Sequence, residues 1–209
     1  MGDYFQTIVD LDATEQDAAP LGAGLLDWLI ADGIVSAERT DCVLDGDGYG
    51  NAPGPNYARA VDDPEPVELW SNGLYVATGR TVFDSGQGDA GAATCPLCAT
   101  EFRLVDDTWC PVDSAWAPFA GRLGAWANGG EGVVECPSCR RPSGIDRWSW
   151  EDDYYACGQL GLTFWNWAEL THGFEQEVRR RLGGHRTVTL RGKLQPGLRS
   201  TGTVSSPDP

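Results

Sequence analysis

Two closely matched cysteine motifs constrain this chain more than any other feature. They read C-P-L-C at 95–98 and C-P-S-C at 136–139. In each motif the spacing lets two thiolates from one tight turn reach the same metal ion, and the proline restricts φ at the first step of the turn. Two such turns together supply four sulfur ligands, the closed tetrahedral set of structural zinc. The sequence therefore predicts a metal site whose ligands are Cys95, Cys98, Cys136 and Cys139.

These motifs resemble the paired knuckles of the zinc-ribbon family, which sit at the tips of β-hairpins. The resemblance covers the two turns and the strands beside them, and Phe102 suits the strand that leaves a first knuckle. It implies a structural Zn²⁺ ion. Residues 99–135 separate the two motifs, well beyond the usual spacing of roughly 15–20 residues. An insertion within the ribbon is therefore expected.

Other chemistry remains open for the cysteines. A C-P-x-C motif can serve as a redox dithiol, although that use needs one motif at a strand-to-helix junction, not two matched turns. An iron site is a further alternative. Cys110 follows Cys98 by twelve residues and could replace one ligand. Cys42 and Cys157 are expected to be small buried apolar residues.

Acidic side chains outnumber basic ones over most of the chain, and the formal net charge is −16. Residues 1–89 hold seventeen acids and three bases (−14), residues 90–174 eleven and five (−6), and residues 175–209 three and seven (+4). Four thiolates around a divalent ion would lower the total to about −18. Phosphate binding needs clustered Lys and Arg, so this balance opposes contact with nucleic acid, the common use of a zinc ribbon.

The location of the protein is predicted from its composition and its cysteines. No run approaches the roughly 18 apolar residues of a membrane span. Residues 1–5 lack the basic and apolar pattern of a signal peptide. Four of the seven cysteines lie in the two motifs, which favours a reducing compartment where thiols bind metal. We therefore expect a cytoplasmic protein.

Apolar residues at helical spacing predict two helices in the first two thirds of the chain. The first begins near Asp17, with Pro20 in its first turn, and ends at Gly33. The second begins at Asp113 or Ser114 and is expected to pack over the small core of the ribbon. Its buried face is predicted to consist of Trp116, Phe119, Leu123 and Trp126.

A third helix and several strands complete the expected fold. Asn166 is predicted to cap the helix, with Glu169 as its capping-box partner. The buried stripe of this helix consists of Leu170, Phe174, Val178 and Leu182. Runs rich in β-forming residues predict strands at 4–10, near 42–44, at 67–70 and 74–77 as a hairpin around Asn72-Gly73, and at 80–83, 147–150, 160–165 and 186–190.

Counted in order, these elements approach β-α-β-β-α-β with the metal module inserted. The predicted fold is therefore α+β, a ferredoxin-like α/β sandwich with an inserted four-cysteine zinc ribbon. The first half of the sandwich is expected at 1–83 and the second at 151–194. The ribbon, with its short amphipathic helix, is expected at 84–150, and a disordered tail at 195–209.

Catalytic and calcium sites are poorly supported. His172 and His185 stand in no H-E-x-x-H pattern and beside no obvious nucleophile, so both are expected at the surface or at a helix end. The run 45–51 begins like a calcium loop, but Tyr49 occupies position five, and position twelve is Asn56 instead of the bidentate Glu that such a loop needs. An acidic glycine-rich loop is expected there. A four-cysteine zinc site also lacks the open position that hydrolysis requires.

The paired aromatic residues have two interpretations. Residues i and i+2 share one face of a strand, so the pairs Trp148/Trp150 and Trp165/Trp167 could form a flat platform for a sugar, a base or a partner. They could instead fill the seam between ribbon and sandwich, together with Tyr154/Tyr155. The second interpretation is favoured.

Three functions remain. The first is a non-enzymatic binding or regulatory protein whose acidic half engages a basic protein partner, because charge complementarity steers association. The second is an enzyme with the ribbon as scaffold and Asp45, Asp47, Asp62 and Asp63 as candidate groups. The third is a nucleic-acid module that uses the basic side chains Arg179, Arg180, Arg181, Arg186, Arg191 and Lys193. Charge favours the first.

Overall fold

The computed structural model describes residues 3–64, 69–86 and 88–194. Over these residues the protein is a mixed α and β structure with antiparallel sheets. The predicted tail at 195–209 lies outside the described residues. The helices of these ranges are α1 (Glu15–Ala31), α2 (Asp113–Trp116), α3 (Arg122–Ala127) and α4 (His172–Arg181). The strands are β1 (Asp3–Asp10), β2 (Val35–Thr40), β3 (Gly50–Pro53), β4 (Gly73–Asp84), β5 (Ala92–Thr94), β6 (Glu101–Arg103), β7 (Val133–Glu135), β8 (Pro142–Gly144), β9 (Ser149–Trp150), β10 (Tyr155–Trp165) and β11 (Thr187–Leu194).

A large sheet dominates the described part of the chain, with strand order β11-β1-β10-β4-β3-β2. Every neighbouring pair in it is antiparallel. β1 and β4 both pair with β10, so they run parallel to each other. β10 and β11 both pair with β1, so they too run parallel to each other. The first crossover, from β1 to β4, contains α1 and the hairpin β2–β3. The second, from β10 to β11, contains α4.

Both long helices pack on one face of this sheet. Ile8, Leu162 and Phe164 of the central strands meet Leu25 and Leu29 of α1 and Phe174 and Val178 of α4 in a single apolar core. The helices also touch each other, since the rings of Trp28 and Phe174 stack with centroids 5.9 Å apart. The four residues of the predicted stripe in the third helix are all buried in this core, which confirms that they face inwards.

The opposite face of the sheet is also covered. Phe5 and Trp165 lie directly across from each other on β1 and β10, with ring centroids 5.2 Å apart. The 42–44 segment packs on them as part of a coil rather than the predicted strand. Phe83 covers the other end, and its ring occupies the space that a Cβ atom at Gly161 would need. Cys42 and Cys157 are buried apolar residues, as predicted.

Between the adjacent strands β4 and β10 the chain builds a second, smaller unit. It contains a sheet of order β6-β5-β9, the hairpin β7–β8 and the helices α2 and α3. Its core is aromatic, with Phe119 at 4.9 Å from Trp148 and 5.4 Å from Trp150, between ring centroids. Arg80 of β4 joins the two units, because its guanidinium lies 4.5 Å from the Trp126 ring and donates to the Gly130 carbonyl.

Two predicted elements differ in their local form. The helix expected after Asp113 is divided into α2 and α3, because Gly121 adopts φ +68° between them. Its predicted apolar residues still share the core of the second unit. The first helix begins at Glu15, since Thr14 caps it by accepting a hydrogen bond from Asp17 N–H, and Pro20 lies inside the helix.

The prediction for Asn166 is wrong. This residue has φ +53°, and its amide nitrogen donates to Asp3 and to Ser71 while its oxygen accepts from Tyr4 N–H. The cap of α4 is Thr171, five residues later, so Leu170 precedes the helix and Glu169 forms no capping box. Asn166 instead links the end of β10 to the start of β1 through these hydrogen bonds.

The prediction of a hairpin around Asn72-Gly73 is also wrong for the residues that the structure describes. The segment 69–72 is not a strand, because the Ser71 hydroxyl is tied to Asp3 and the Asn166 amide to the Ser71 carbonyl. Gly73 begins a single 12-residue strand, which includes the separately predicted strand at 80–83. Residues 67 and 68 lie outside the described ranges.

No helix in the described ranges is both long and apolar enough to cross a membrane.

Candidate metal centre

The four predicted ligands lie in two hairpin turns of the second unit. The turn between β5 and β6 carries Cys95 and Cys98, and the turn between β7 and β8 carries Cys136 and Cys139. Each turn closes in the same way. The fifth residue is left-handed, with φ +56° at Ala99 and +58° at Arg140, and the N–H of the first cysteine donates to the carbonyl of the sixth residue.

The tertiary structure brings the two turns together. The four Sγ atoms all lie within 4.8 Å of one another, and those of Cys98 and Cys136 are 3.8 Å apart. Four sulfurs placed tetrahedrally at the usual Zn–S distance of about 2.3 Å are separated by about 3.8 Å. The described geometry is therefore consistent with a pair of zinc-binding knuckles.

The cluster has a buried side and an exposed side. Cys95 and Cys136, the first cysteine of each motif, are buried, whereas Cys139 is partly exposed and Cys98 is exposed. Backbone N–H groups approach the buried sulfurs: Leu97 N is 3.4 Å from Cys95 Sγ, and Cys139 N is 3.5 Å from Cys136 Sγ. Such donors stabilise negative charge on sulfur, so burial of these two thiolates is partly offset.

Hydrogen bonding and burial shift the pKa values of the cysteine thiols in different directions. Hydrogen bonds from the Thr100 hydroxyl and backbone lower the pKa of Cys98 to about 6. The backbone N–H of Arg141, and then its guanidinium, lower the pKa of Cys139. Burial raises the pKa of Cys136 to about 11. The two cysteines of a motif therefore differ in environment, and the buried Cys136 thiol would lose its proton on binding a metal.

The donor set is suited to a metal ion that prefers sulfur. Four thiolates at these separations suit Zn²⁺ or iron, and they leave no coordination position open for a substrate. Such an ion would join two hairpins that share no strand pairing in the described chain. Cys110 is not a member of the cluster: it is exposed at the end of a loop where its N–H donates to Asp106.

Three side chains at the site were not singled out from the sequence. The Thr100 hydroxyl lies 3.3 Å from Cys98 Sγ and is hydrogen-bonded to Ser138 across the two turns at 3.2 Å. Arg141 donates to the carbonyl of Leu97 in the opposite turn at 2.5 Å. Alignment of the two motifs would have placed Thr100 and Arg141 at the same position, two residues after the second cysteine, but not their contacts.

The carboxylates proposed for an enzyme do not form one site. Asp45 accepts a hydrogen bond from Trp165 Nε1 at 3.0 Å, and burial raises the pKa of its carboxyl. Asp47 accepts from Tyr49 N–H and pairs with Arg39. Both carboxylates therefore hold the 45–49 loop in place, each with a different partner. Asp62 and Asp63 are exposed at a separate segment, beside the bridge between Val61 and Leu170.

The basic side chains of the C-terminal segment are largely neutralised by the protein itself. Glu177 pairs with Arg180 and Arg181, Asp12 with Arg186, and Glu175 with Arg191. Lys193 lies over the Tyr4 ring at 4.8 Å. Among the described residues of the predicted basic set, Arg179 alone has no such contact. Four of the six predicted basic side chains are therefore in ion pairs with carboxylates of the same chain.

The two histidines occupy different environments. His172 is exposed at the start of α4, 3.9 Å from Glu175. His185 Nδ1 lies 2.8 Å from Asp10 Oδ2, and the other oxygen of this fully buried carboxylate accepts from the N–H groups of Asp12 and Ala13. His185 thus joins the end of β1 to the start of β11 through a buried acceptor, and its contacts are those of a structural residue.

The paired tryptophans fill cores and form no shared platform, but the favoured position at the seam between ribbon and sandwich is wrong for Trp165 and Trp167. Trp148 and Trp150 are buried in the core of the second unit. Trp165 and Trp167 lie in separate cores on opposite faces of the sheet, because β10 ends at Trp165 and Asn166 turns the chain. Tyr154 and Tyr155 are half-buried against the second unit.

Comparison with known proteins adds no relative from which a role could be transferred. No protein-family model, no curated protein and no solved structure matches this chain. The functional conclusion therefore depends on the site and the charge distribution of the chain itself.

Proposed function

We propose that this protein is a non-enzymatic binding or regulatory protein, stabilised by one structural Zn²⁺ ion, whose acidic surface engages a basic protein partner in the cytoplasm. The ion would be held by Cys95, Cys98, Cys136 and Cys139, and when bound it cross-links the two hairpin turns. The short strands around it gain a fixed arrangement from this cross-link. The ion is given no catalytic role because four protein ligands complete its coordination.

The proposed architecture is a ferredoxin-like sandwich with a zinc ribbon inserted between β4 and β10. The strand order β11-β1-β10-β4, with α1 and α4 on one face, is the order that β-α-β-β-α-β connectivity produces when each crossover spans one strand. The hairpin β2–β3 then extends the edge of the sandwich. The domain limits 1–83, 84–150 and 151–194 remain part of this proposal.

One observation supports the proposed partner: negative charge is in excess and exposed, whereas seven of the fourteen basic side chains in the described residues are paired with carboxylates of the same chain. Residues 1–89 carry −14. Glu38, Asp41, Asp62 and Asp63 are exposed, and their carboxylates make no hydrogen bond or ion pair within the described chain. Such carboxylates accelerate encounter with a cationic surface, and salt weakens the effect as the Debye length falls to roughly 8 Å.

Charge neutralisation tests this proposal. The first variant replaces Glu38, Asp41, Asp62 and Asp63 by Gln or Asn. A matched control replaces the exposed acids Glu101, Asp107, Asp113 and Glu131 of the second unit, so both variants lose four charges. Asp45 is left unchanged because its carboxyl bonds Trp165. Wild type and variants are compared as baits in host extract at low and moderate salt.

We expect the first variant to lose a set of basic proteins that wild type and control retain at low salt. Its melting temperature and zinc content should equal those of wild type, since exposed charges contribute little to stability. If all three baits capture the same proteins at both salt concentrations, the acidic surface of residues 1–89 does not mediate recognition and the proposal fails.

A further inference from the structure

The two cysteine turns are near-copies of one six-residue unit. Cys95–Thr100 and Cys136–Arg141 each place cysteines at positions one and four and a left-handed residue at position five. In each, the N–H of position five donates to the carbonyl of position one, at 3.0 and 2.9 Å, and the N–H of position one donates to the carbonyl of position six, at 3.0 and 3.1 Å. The backbone of the turn is therefore repeated.

Contacts between the two turns follow the same repeat. Position six of the first turn, Thr100, is hydrogen-bonded to position three of the second, Ser138, at 3.2 Å. Position six of the second turn, Arg141, donates to the carbonyl of position three of the first, Leu97, at 2.5 Å. The contacts are reciprocal, because in each of them position six of one turn meets position three of the other.

The two contacts differ in chemistry. In the structure the Cys98 thiol donates to the Thr100 hydroxyl, which donates to Ser138 Oγ. A metal-bound thiolate can only accept, so with the ion bound the Thr100 hydroxyl would donate to Cys98 and accept from the Ser138 hydroxyl. Arg141 brings a full positive charge two residues after the ligand Cys139. A tetrathiolate site with a divalent ion carries a net charge of −2 in a protein that is already acidic. Arg141 can offset part of that charge at the site.

The neighbouring arginine shows that this arrangement is specific. Arg140 is also exposed, but its guanidinium lies 3.7 Å from Glu135 on the adjacent strand. The two arginines are consecutive, so they contribute the same formal charge near the cluster. Arg141 alone reaches across to the opposite turn. Arg140 therefore serves as a matched control for the general effect of positive charge.

We propose that Thr100–Ser138 and Arg141–Leu97 form a reciprocal clamp that holds the two turns in register for metal binding, with Arg141 as a positioning residue that also stabilises the bound thiolates. This inference rests on the proposed zinc site. Removal of hydrogen-bonding partners around metal ligands typically lowers metal affinity about 10–100-fold. Arg141 should lie within this range because it contributes both a contact and a charge.

The test measures metal affinity and the ligand field in the full chain. Zn²⁺ affinity is obtained by competition with a chelator, and the visible and near-ultraviolet spectrum of bound Co²⁺ reports the tetrathiolate geometry. Arg141→Gln should weaken Zn²⁺ binding about 10–100-fold and alter the Co²⁺ spectrum. Arg140→Gln should stay within about twofold of wild type. Arg141→Lys should recover only part of the affinity, since an ammonium group keeps the charge without the planar fork.

Two further measurements keep the result interpretable. If Arg141→Gln does not fold, the milder pair Thr100→Val and Ser138→Ala tests the other half of the clamp, and each should weaken Zn²⁺ binding severalfold. Wild-type affinity in Arg141→Gln, or equal losses in Arg140→Gln and Arg141→Gln, would overturn the clamp. Failure of the wild-type chain to bind zinc would instead overturn the proposed metal site itself.

Discussion

The large sheet and the cysteine-bearing unit reach a defined structure by different means. In the sheet, β1, β4, β10 and β11 are 8–12 residues long, and an apolar core under two helices holds them. In the second unit the strands are two or three residues long, and the core depends on clustered aromatic rings. Short strands supply few ladder hydrogen bonds and little buried area. The second unit therefore needs additional cross-links, which the sulfur cluster is placed to provide.

The largest expected effect is loss of the metal through Cys136→Ala. Cys136 is fully buried in the cluster, and binding of a structural metal is coupled to folding. Metal analysis after gel filtration should fall from about one zinc per wild-type chain to well below one. Near-ultraviolet circular dichroism should weaken as the aromatic core loosens, while the far-ultraviolet signal of the sheet persists.

Cys110→Ala is the matched control, because Cys110 is exposed and outside the cluster. It should retain wild-type zinc. Full zinc retention in Cys136→Ala would remove this residue from the ligand set. The proposed dependence of the second unit on a bound metal would then lose its support.

A second prediction compares one core phenylalanine from each unit. Phe174 is buried between α4 and the sheet, and Phe119 between Trp148 and Trp150. Phe174→Ala should cost about 3–5 kcal/mol in denaturant unfolding, the range for a phenylalanine lost from a core. This loss should be the same with zinc and with excess chelator, because Phe174 belongs to the core that needs no metal.

Phe119→Ala should behave differently. Its destabilisation should be measurable with zinc and largely vanish with chelator, because the metal-free unit has already lost much of its packing. If Phe174→Ala melts within a degree or two of wild type, the sheet core has been misassigned. If both variants respond equally to chelator, the two units do not differ in their dependence on metal.

The smallest predicted effect concerns Asp45, which ties the 45–49 loop to the sheet. Burial raises the pKa of this carboxyl, so the folded state disfavours its ionised form. The resulting penalty is absent below the ordinary pKa range of aspartate and complete above the raised pKa. Asp45→Asn should therefore stabilise the protein at pH 7 by about 0.5–2 kcal/mol, a range common for single stabilising changes. The gain should shrink as the pH falls through the raised pKa and should be absent below about pH 4, the ordinary pKa of aspartate.

Asp47→Asn provides the control, because Asp47 is exposed and pairs with Arg39 at the surface. It should change stability little at any pH. A loss of stability in Asp45→Asn at pH 7 would mean that the ionised carboxylate is the better acceptor for Trp165, and the expected sign would be wrong.

Local patterns predicted much of this structure. The repeated C-P-x-C spacing identified four cysteines whose sulfurs cluster, because ligand spacing within a turn is a local property. The stripe of Leu170, Phe174, Val178 and Leu182 was predicted to be buried, and it is. Four apolar side chains at helical spacing form a stripe that faces the core. Local capping preferences did not locate the start of α4. Asn166 was predicted to cap this helix, but its side chain is hydrogen-bonded to Asp3, Ser71 and Tyr4 instead.

The sequence by itself determined the identity of the four clustered cysteines, the uneven distribution of charge and the apolar faces, all of which depend on residues close together in the chain. Only the tertiary structure decided which groups surround those cysteines. The Thr100–Ser138 and Arg141–Leu97 contacts join residues 38 and 44 positions apart. The same holds for the pairing of Asp45 with Trp165 and of the C-terminal arginines with distant carboxylates. These contacts depend on how strands separated by whole elements come together, and no local periodicity encodes that arrangement.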